Sequence, residues 1–285
     1  MKRSSPAEEK GIVYLVGTPI GNLEDITYRA ISILKKSDIV ACEDTRNTAV
    51  LLKHYGIRPK KLVSLYSQIE EKEGERLVKE VKEKNLILSY CSDAGMPGIS
   101  DPGALLAKKC QDLSVPVTVL PGPTAALSAL VLSGLDTADF SFFGFPPTKK
   151  GAMTKFFSSL KEREETLIFY ESPKRIIETL SIMKEVFSGE RKATIVRELT
   201  KIHEETIFGT LDELSSLSDI KGECVIVVEG AKERSVDSKA LEKEIRSLLK
   251  EGSSVKDVSR LIAERHGIKK SDVYEMALAM QGKTK

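Results

Sequence analysis

The stretch LILSYCSDAGMPGISDPG, residues 86–103, joins a short apolar run to a loop rich in glycine and proline. The apolar run at residues 86–88 predicts a buried strand. Glycines let the loop turn tightly and approach a ligand closely, and prolines stiffen it before a ligand arrives. Asp93 follows the strand, and ligands of open α/β sheets bind at that carboxyl edge. The stretch therefore predicts a ligand-binding loop, although the same residues also punctuate ordinary connecting loops.

Length and composition predict a folded globular protein. The chain has 285 residues, 41% of them hydrophobic, which suffices for two domains of roughly 100–200 residues each. No apolar run approaches the ~18 residues of a membrane span, and the start, MKRSSPAEEK, lacks the apolar segment of a signal peptide. We therefore expect a cytoplasmic protein with no membrane partner. The scattered cysteines predict reduced, mostly buried thiols, at Cys42, Cys91, Cys110 and Cys224.

The alternation of apolar segments predicts two α/β domains and a helical tail. Strands are predicted at residues 12–16, 38–42, 62–65, 86–88, 117–120, 140–145, 166–170, 193–197, 205–208 and 224–229. Helices are predicted at residues 27–36, 45–54, 70–84, 103–112, 124–133, 153–163, 174–187, 239–250 and 254–265, with Ser271 capping a last one. The helix at 124–133, TAALSALVLS, is apolar nearly all round, which predicts burial at a ligand or domain interface.

The expected organisation is a flexible N-terminal tail, two α/β domains and a small helical module. The corresponding ranges are residues 1–10, 11–122, 123–231 and 238–282. Residues 232–285 carry 13 Lys and Arg against 9 Asp and Glu. This excess, with the helix–turn–helix pattern, is compatible with nucleic-acid binding, and equally with a packing or dimer-stabilising role.

Several common chemistries are absent from the sequence. It contains no GxxxxGK[ST] phosphate loop and no GxSxG nucleophile elbow, and GTPIG at residues 17–21 is not the GxGxxG dinucleotide fingerprint. His54, His203 and His266 are far apart and do not form a metal-ligand pattern, so we expect no metal site.

Polar loops follow successive predicted strands. They are GTPIGNLEDIT (17–27), CEDTR (42–46), SDAGMPGISDPG (92–103), PGPTAA (121–126), FGFPP (143–147), YESPKR (170–175) and RELTK (197–201). These seven loops at one edge would line a single cleft between two domains. We therefore expect a mid-sized polar ligand and a second substrate.

The segments TPIGNLEDIT, EDTR, SDAGxPxISDPG, PGPxAAxxAL, FxGFPP, FYESPxR and RELTKxxEE resemble, in order and spacing, the tetrapyrrole methylase superfamily of S-adenosylmethionine-dependent enzymes. The resemblance covers residues 11–282 and is closest to the ribosomal RNA branch of that superfamily. Departures are small: Met96 stands where Thr is common, and Cys42 and Cys91 stand where other small or apolar residues are usual.

The resemblance implies an α/β fold of two α/β domains with the cofactor cleft between them, and a homodimer. It implies 2′-O-methylation of the ribose of a cytidine in the decoding region of 16S rRNA, within the small ribosomal subunit. By the same resemblance, S-adenosylmethionine would contact Pro19, Asp93, Met96, Ile99, Thr124, Ala125, Tyr170, Glu171 and Leu199. The residue chemistry agrees in part, because the Asp93 carboxylate suits a sulfonium cation and Ala125 leaves room for close approach.

A ribose 2′-hydroxyl is a poor nucleophile at neutral pH, so a base would help the transfer. The acidic loop residues are candidates and their spacing selects none: Glu43, Asp44, Glu198 and Glu204. Candidates for pairing with RNA phosphates, or alternatively with neighbouring acids, are Arg46, Arg175, Arg197 and Lys201. We place the acceptor site at Glu43, Asp44 and Arg46, with Glu198 as the next candidate.

Two other functions stay open at this point. One is carbon methylation of a tetrapyrrole, as elsewhere in the superfamily, and porphyrinoid binding would distinguish it. The other is a non-catalytic RNA-binding module, which a methyl-transfer assay would distinguish. The EDTR, YESPKR and RELTK segments and the helical tail favour RNA methylation.

Overall fold

The structure is a computed structural model that describes residues 10–100, 102–231, 238–266, 268 and 270–281. The chain divides into a larger unit, Met1–Glu229, and a smaller unit, Gly230–Lys285. Most of the expected N-terminal tail, residues 1–9, lies outside the described residues, as does residue 282 at the expected end of the helical module. The expected domain boundaries stay predictions.

The first half of the larger unit is a parallel sheet. Its strands are β1 (Ile12–Val16), β2 (Ile39–Cys42), β3 (Lys61–Ser64), β4 (Ile87–Cys91) and β5 (Val117–Leu120), in the order β3-β2-β4-β1-β5. Four helices connect them: α1 (Tyr28–Lys36), α2 (Thr45–His54), α3 (Glu70–Lys84) and α4 (Ala104–Leu113). Strands β1, β2 and β4 are buried at every residue, because helices cover both faces of a parallel sheet.

Buried or capping polar groups fix where these helices begin. Thr27 accepts a hydrogen bond from the Ala30 amide at 3.1 Å and so caps α1. Glu70, only 4% exposed, accepts bonds from the Gly103 amide at 2.8 Å and the Leu106 amide at 3.0 Å. The first residue of α3 therefore anchors the start of α4 and the end of the loop before it.

The second half of the larger unit is a mixed sheet. Its strands are β6 (Phe140–Phe142), β7 (Thr166–Glu171), β8 (Lys192–Arg197), β9 (Glu205–Thr210) and β10 (Cys224–Val228), in the order β6-β7-β10-β8-β9. Its helices are α5 (Ala125–Ser133), α6 (Lys150–Leu160), α7 (Ile176–Phe187) and α8 (Leu211–Ser215). Because β10 is antiparallel to both β7 and β8, the strands β6, β7 and β8 run in one direction and end at one edge. The predicted α/β fold class, with two sheets and their helices followed by a helical segment, is confirmed.

Helix α5, expected to be buried at a ligand or domain interface, begins at the cavity and is buried on one face only. Ala126, Ala129 and Leu130 pack on the second sheet, but Leu127 is 48% and Val131 74% exposed. The outer face of the helix is largely exposed in the described part of the chain. An apolar composition did not distinguish a helix with one buried face from one buried on all sides.

The smaller unit is helical. It contains α9 (Ser238–Lys250), α10 (Val255–His266) and α11 (Lys270–Gln281), which share a core that includes Ile245, Ile262 and Val273. Ser271 lies inside α11 and does not precede it, so its predicted capping role is wrong. None of the helices in the described part of the chain has the length and apolar character that crossing a membrane requires.

Candidate functional site

A cavity of about 510 Å³ lies where the polar loops of the two sheets meet. This volume is within the roughly 300–1,000 Å³ of sites that enclose a small-molecule ligand. Each of the seven predicted loops contributes to its wall. The residues that line it are Ile20, Glu43, Asp93, Ala94, Gly95, Met96, Ile99, Ser100, Thr124, Ala125, Phe145, Tyr170, Glu171, Ser172, Pro173, Leu199, Glu223, Cys224 and Val225.

Backbone contacts between glycines hold the loops of the first sheet together. A Cβ atom on Gly17 would lie 2.7 Å from the backbone nitrogen of Gly122, so the loops after β1 and β5 touch through their main chains. Thr18 and Gly95 exchange two backbone hydrogen bonds of 2.9 and 3.1 Å, which join the loops after β1 and β4. Gly95 has a φ of +80°, which favours glycine.

A third glycine brings the two sheets into contact. A Cβ atom on Gly21 would lie 2.7 Å from the carbonyl oxygen of Leu199 and 2.6 Å from Cγ of Lys201. The loop after β1 therefore packs directly on the loop after β8. This contact lies next to Ile20 and Leu199, which both line the cavity.

The residues expected to contact a cofactor are largely brought together. Eight of the nine line the cavity; Pro19 does not, and its neighbour Ile20 does. Glu223, which precedes β10, and Cys224 and Val225, which begin it, also line the cavity and were not expected there from the sequence. The mixed strand order places the start of β10 beside the ends of β7 and β8, and no local sequence signal specifies that order.

Two carboxylates lie together at the cavity wall. Asp93 accepts hydrogen bonds from the Asp44 amide at 3.1 Å and from Nδ2 of Asn47 at 2.9 Å, so its side chain is fixed against the start of α2. Burial raises the pKa of Glu43, and the neighbouring charge of Asp93 raises that pKa further. The Glu43 carboxylate therefore accepts a proton more readily than an ordinary glutamate.

Asp44 and Arg46 interact with each other and do not line the cavity. Asp44 accepts a hydrogen bond from the Arg46 amide at 2.8 Å and caps α2, and its carboxylate pairs with the Arg46 guanidinium at 2.6 Å. The Arg46 contact lowers the pKa of Asp44 to about 2, which makes it a poor proton acceptor. The alternative considered for this pair, an ion pair that caps the next helix, is the observed arrangement.

Glu198 also lies outside the cavity lining. It adopts a φ of +52°, and its carboxylate pairs with Lys201 at 2.9 Å and accepts a bond from the Glu223 amide at 3.1 Å. These contacts join the loop after β8 to the start of β10. Glu204 binds the Thr200 amide at 2.5 Å.

All the cations proposed for phosphate binding are paired with acids. Arg197 pairs with Glu205 at 2.6 Å, and Lys201 with both Glu198 and Glu223. Arg175 lies 3.2 Å from Glu171, and Arg46 pairs with Asp44 as described above. The salt-bridge alternative is therefore the observed state of each.

Glu171 is a buried anchor of the loop after β7. It is 2% exposed, and its carboxylate accepts bonds from the Ser172 amide at 2.8 Å and the Thr179 hydroxyl at 2.7 Å. Arg175 contacts the same carboxylate and donates to the carbonyl oxygens of Pro146 and Pro147 at 3.1 and 3.2 Å. This network fixes the loops after β6 and β7 to each other.

The cysteines and potential metal ligands of the described chain are accounted for. All four cysteines are buried free thiols, as predicted, and burial raises the pKa of Cys224 to about 11. Among the residues that the structure describes, no group of three or more His, Cys, Asp or Glu could hold a metal ion.

Comparison with known proteins agrees with the geometry. The model of the Tetrapyrrole (Corrin/Porphyrin) Methylases matches residues 12–215, and that of the RsmI C-terminal HTH domain matches residues 236–281. A protein named ribosomal RNA small subunit methyltransferase I from Bacillus subtilis (strain 168) is 41% identical, with 94% of each chain covered. A protein of the same name from Escherichia coli O157:H7 is 38% identical over 99% of this chain and 100% of its own.

The crystal structure of uroporphyrin-III-C-methyltransferase from Thermus thermophilus shares the fold. Its TM-score is 0.55 at 18% identity, and the match covers 77% of this chain and 94% of that one. The chain belongs to the tetrapyrrole methylase family, among the proteins named ribosomal RNA small subunit methyltransferase I.

Proposed function

We propose that the protein is an S-adenosylmethionine-dependent methyltransferase that modifies the ribose 2′-oxygen of a cytidine in the decoding region of 16S rRNA. The observation that carries the proposal is the cavity at the meeting point of the two sheets, lined mostly by loops within the residues 12–215 that the family model matches. The names of the relatives and the C-terminal domain match support an RNA substrate. The small ribosomal subunit as partner, a homodimer and a cytoplasmic location belong to the same proposal.

The cavity wall suits S-adenosylmethionine, which has an adenine, a sulfonium and an amino acid end. Its lining is mostly apolar, with side chains such as Met96, Tyr170 and Leu199 to enclose the adenosyl part. The start of α5 lies at the cavity, where Thr124 caps the helix by accepting from the Leu127 amide at 3.1 Å. A helix start favours a negative group, so Thr124 and Ala125 would hold the carboxylate of the amino acid end.

The proposed chemistry is a displacement at a methyl carbon. When bound, S-adenosylmethionine supplies an electrophilic methyl group on its sulfonium. The chain must orient the acceptor ribose and remove the hydroxyl proton. We assign the proton to Glu43, because it lines the cavity and its pKa is raised by burial and by Asp93. Asp93 acts as a positioning residue for Glu43, and Asp44, Arg46 and Glu198 hold the surrounding loops.

The test is methyl transfer with labelled cofactor. Small ribosomal subunits from cells that lack this protein are incubated with the purified chain, and the labelled nucleotide is located by mass mapping. The proposal expects one 2′-O-methylated cytidine in the decoding region. Label on a base, on another RNA or on a porphyrinoid offered in parallel would overturn it.

A further inference from the structure

Phe145 is an exposed aromatic residue at the cavity. It lines the cavity and yet is 57% exposed, and its ring meets Tyr170 edge-on with centroids 5.6 Å apart. Gly144, with a φ of +64°, turns the chain just before it, and the Gly144 carbonyl accepts a bond from the Tyr170 amide at 2.9 Å. The ring is therefore held by its backbone in a position where solvent, or a ligand larger than the cavity, reaches it.

Arg175 ties the segment after Phe145 to the loop after β7. Its Nη2 donates to the carbonyl oxygens of Pro146 and Pro147 at 3.1 and 3.2 Å, which leaves this cation occupied within the protein. Arg175 therefore joins residues 148–150, which follow the two prolines, to residue 174, which directly precedes the arginine, in one surface beside the cavity.

Three lysines on this surface have no acidic partner. Lys149 and Lys150 follow the proline pair, and Lys174 follows Pro173, which lines the cavity. All three are exposed, and none forms an ion pair within the part of the chain that the structure describes. They differ in this from Arg46, Arg175, Arg197 and Lys201, each of which is paired with a carboxylate.

We propose that Phe145, Lys149, Lys150 and Lys174 form the binding surface for the acceptor strand of RNA, with Phe145 stacking on a base and the lysines contacting phosphates. The inference rests on the proposed function and adds the residues that hold the RNA. Unstacked bases of single-stranded RNA commonly stack on exposed aromatic rings, and unpaired cations beside such a ring bind the backbone without reading its sequence.

The lysines are tested by the salt dependence of RNA binding. The variant K149Q/K150Q/K174Q is compared with K35Q/K36Q/K53Q, whose lysines lie exposed in the last turns of α1 and α2. The probes are small ribosomal subunits and a single-stranded RNA oligonucleotide. For a single strand, each lost phosphate contact makes the plot of log affinity against log salt concentration shallower by about 0.7. The slope for K149Q/K150Q/K174Q should therefore be shallower than the wild-type slope by about 2. The second should keep the wild-type slope.

Phe145 is tested by substitutions that keep or remove the aromatic ring. F145L should lower kcat/KM for small subunits roughly 5- to 150-fold, the range for loss of one base–aromatic stack, and F145W should restore most of it. F208L is the matched control, because Phe208 is also exposed but lies on edge strand β9, away from the cavity. Binding of the single-stranded oligonucleotide without cofactor should weaken for F145L and not for F208L, which separates stacking on RNA from any effect on the cavity that Phe145 lines.

The two experiments separate this inference from the proposed function. Equal salt slopes for the two lysine variants would overturn the phosphate contacts, and equal losses for F145L and F208L would overturn the stacking. If the wild-type chain methylates no small subunit, the proposed function fails, but the oligonucleotide slopes still decide whether this surface binds RNA.

Discussion

Gly17 and Gly122 touch through their main chains: a Cβ atom on Gly17 would lie 2.7 Å from the backbone nitrogen of Gly122 and 2.9 Å from Sδ of Met96. Because the obstacle is backbone, no side chain can move aside to make room. The loops after β1 and β5 are thus kept close enough for Ile20 and Thr124 to line one cavity.

Gly17→Ala should therefore separate these loops and disturb the cavity. We expect a loss of about 1–3 kcal/mol in the free energy of unfolding, as for overpacking of a filled interior, and weaker S-adenosylmethionine binding. Gly74→Ala is the control, since a Cβ there meets only Leu106 Cδ1 at 3.6 Å inside α3, where alanine is favoured by about 1 kcal/mol. Urea unfolding measures the free energy of unfolding, and calorimetry measures S-adenosylmethionine affinity. If Gly17→Ala changes neither quantity, the close contact with Gly122 is contradicted.

Glu43→Gln should lower methyl transfer by about 10²- to 10⁴-fold, the usual contribution of a general base, while cofactor affinity is retained. Asp44→Asn is the control: an asparagine can still cap α2, and Asp44 is outside the cavity lining, so transfer should stay within a few-fold. If Asp44→Asn loses transfer and Glu43→Gln does not, the assignment of the base is wrong.

The same assignment predicts a pH profile. The pKa of Glu43 is raised by burial and by the Asp93 charge, and the base works only when ionised. The value of kcat/KM should therefore rise with pH through a midpoint above the ordinary pKa of a glutamate. Asp93→Asn removes the neighbouring charge and should move this midpoint to lower pH. The midpoint should stay above the ordinary glutamate pKa, because Glu43 remains buried. A midpoint that moves upward would contradict the coupling.

Asp93→Ala should weaken S-adenosylmethionine binding at least tenfold, about 1.4 kcal/mol. The carboxylate both lines the cavity and holds the Asp44 amide, so its loss also loosens the loop after β2. Asn47→Ala removes only the amide contact to Asp93 and should have the smaller effect. Calorimetry that finds full affinity in folded Asp93→Ala would remove this residue from the site.

Truncation after Ala231 should leave cofactor affinity intact and reduce methylation of RNA. The buried clusters of the sheets use residues up to Val228, and the helical unit has its own core around Ile245 and Ile262. Methyl transfer to small subunits and calorimetry measure the two properties. Normal methylation by the truncated chain would assign the helices to packing or dimerisation.

Glu244→Gln should destabilise the helical unit at neutral pH by about 1 kcal/mol or less. Hydrogen bonds from His266, at 2.7 Å, and from Arg265 lower the pKa of Glu244. A lowered pKa means that this contribution is present above the ordinary glutamate pKa and is lost as pH falls through the lowered value. Hydrogen exchange over residues 238–266 measures it.

Glu242→Gln is the matched control for that change. Glu242 lies 3.9 Å from Arg246 in a more exposed pair, so little protection should be lost. Equal effects of the two substitutions would mean that the Glu244 contacts add nothing specific.

The sequence by itself determined the elements and the loops that carry the chemistry. Helices α2 and α3 begin and end where periodicity and local residues predicted, because capping groups and apolar spacing act within a few residues. Loops rich in glycine and proline follow the strands as predicted, and parallel strand direction brings their ends to one edge.

Only the tertiary structure decided which side chains of those loops face the cavity. The pairing of Asp44 with Arg46 is local, but whether Glu43 lies beside Asp93, and whether Val131 is buried, depends on neighbours distant in the chain. The position of β10 between β7 and β8, which adds Glu223 to the cavity, results from long-range strand pairing. Local residue patterns carry no record of such pairings, because the free energy that selects them comes from packing of the whole sheet.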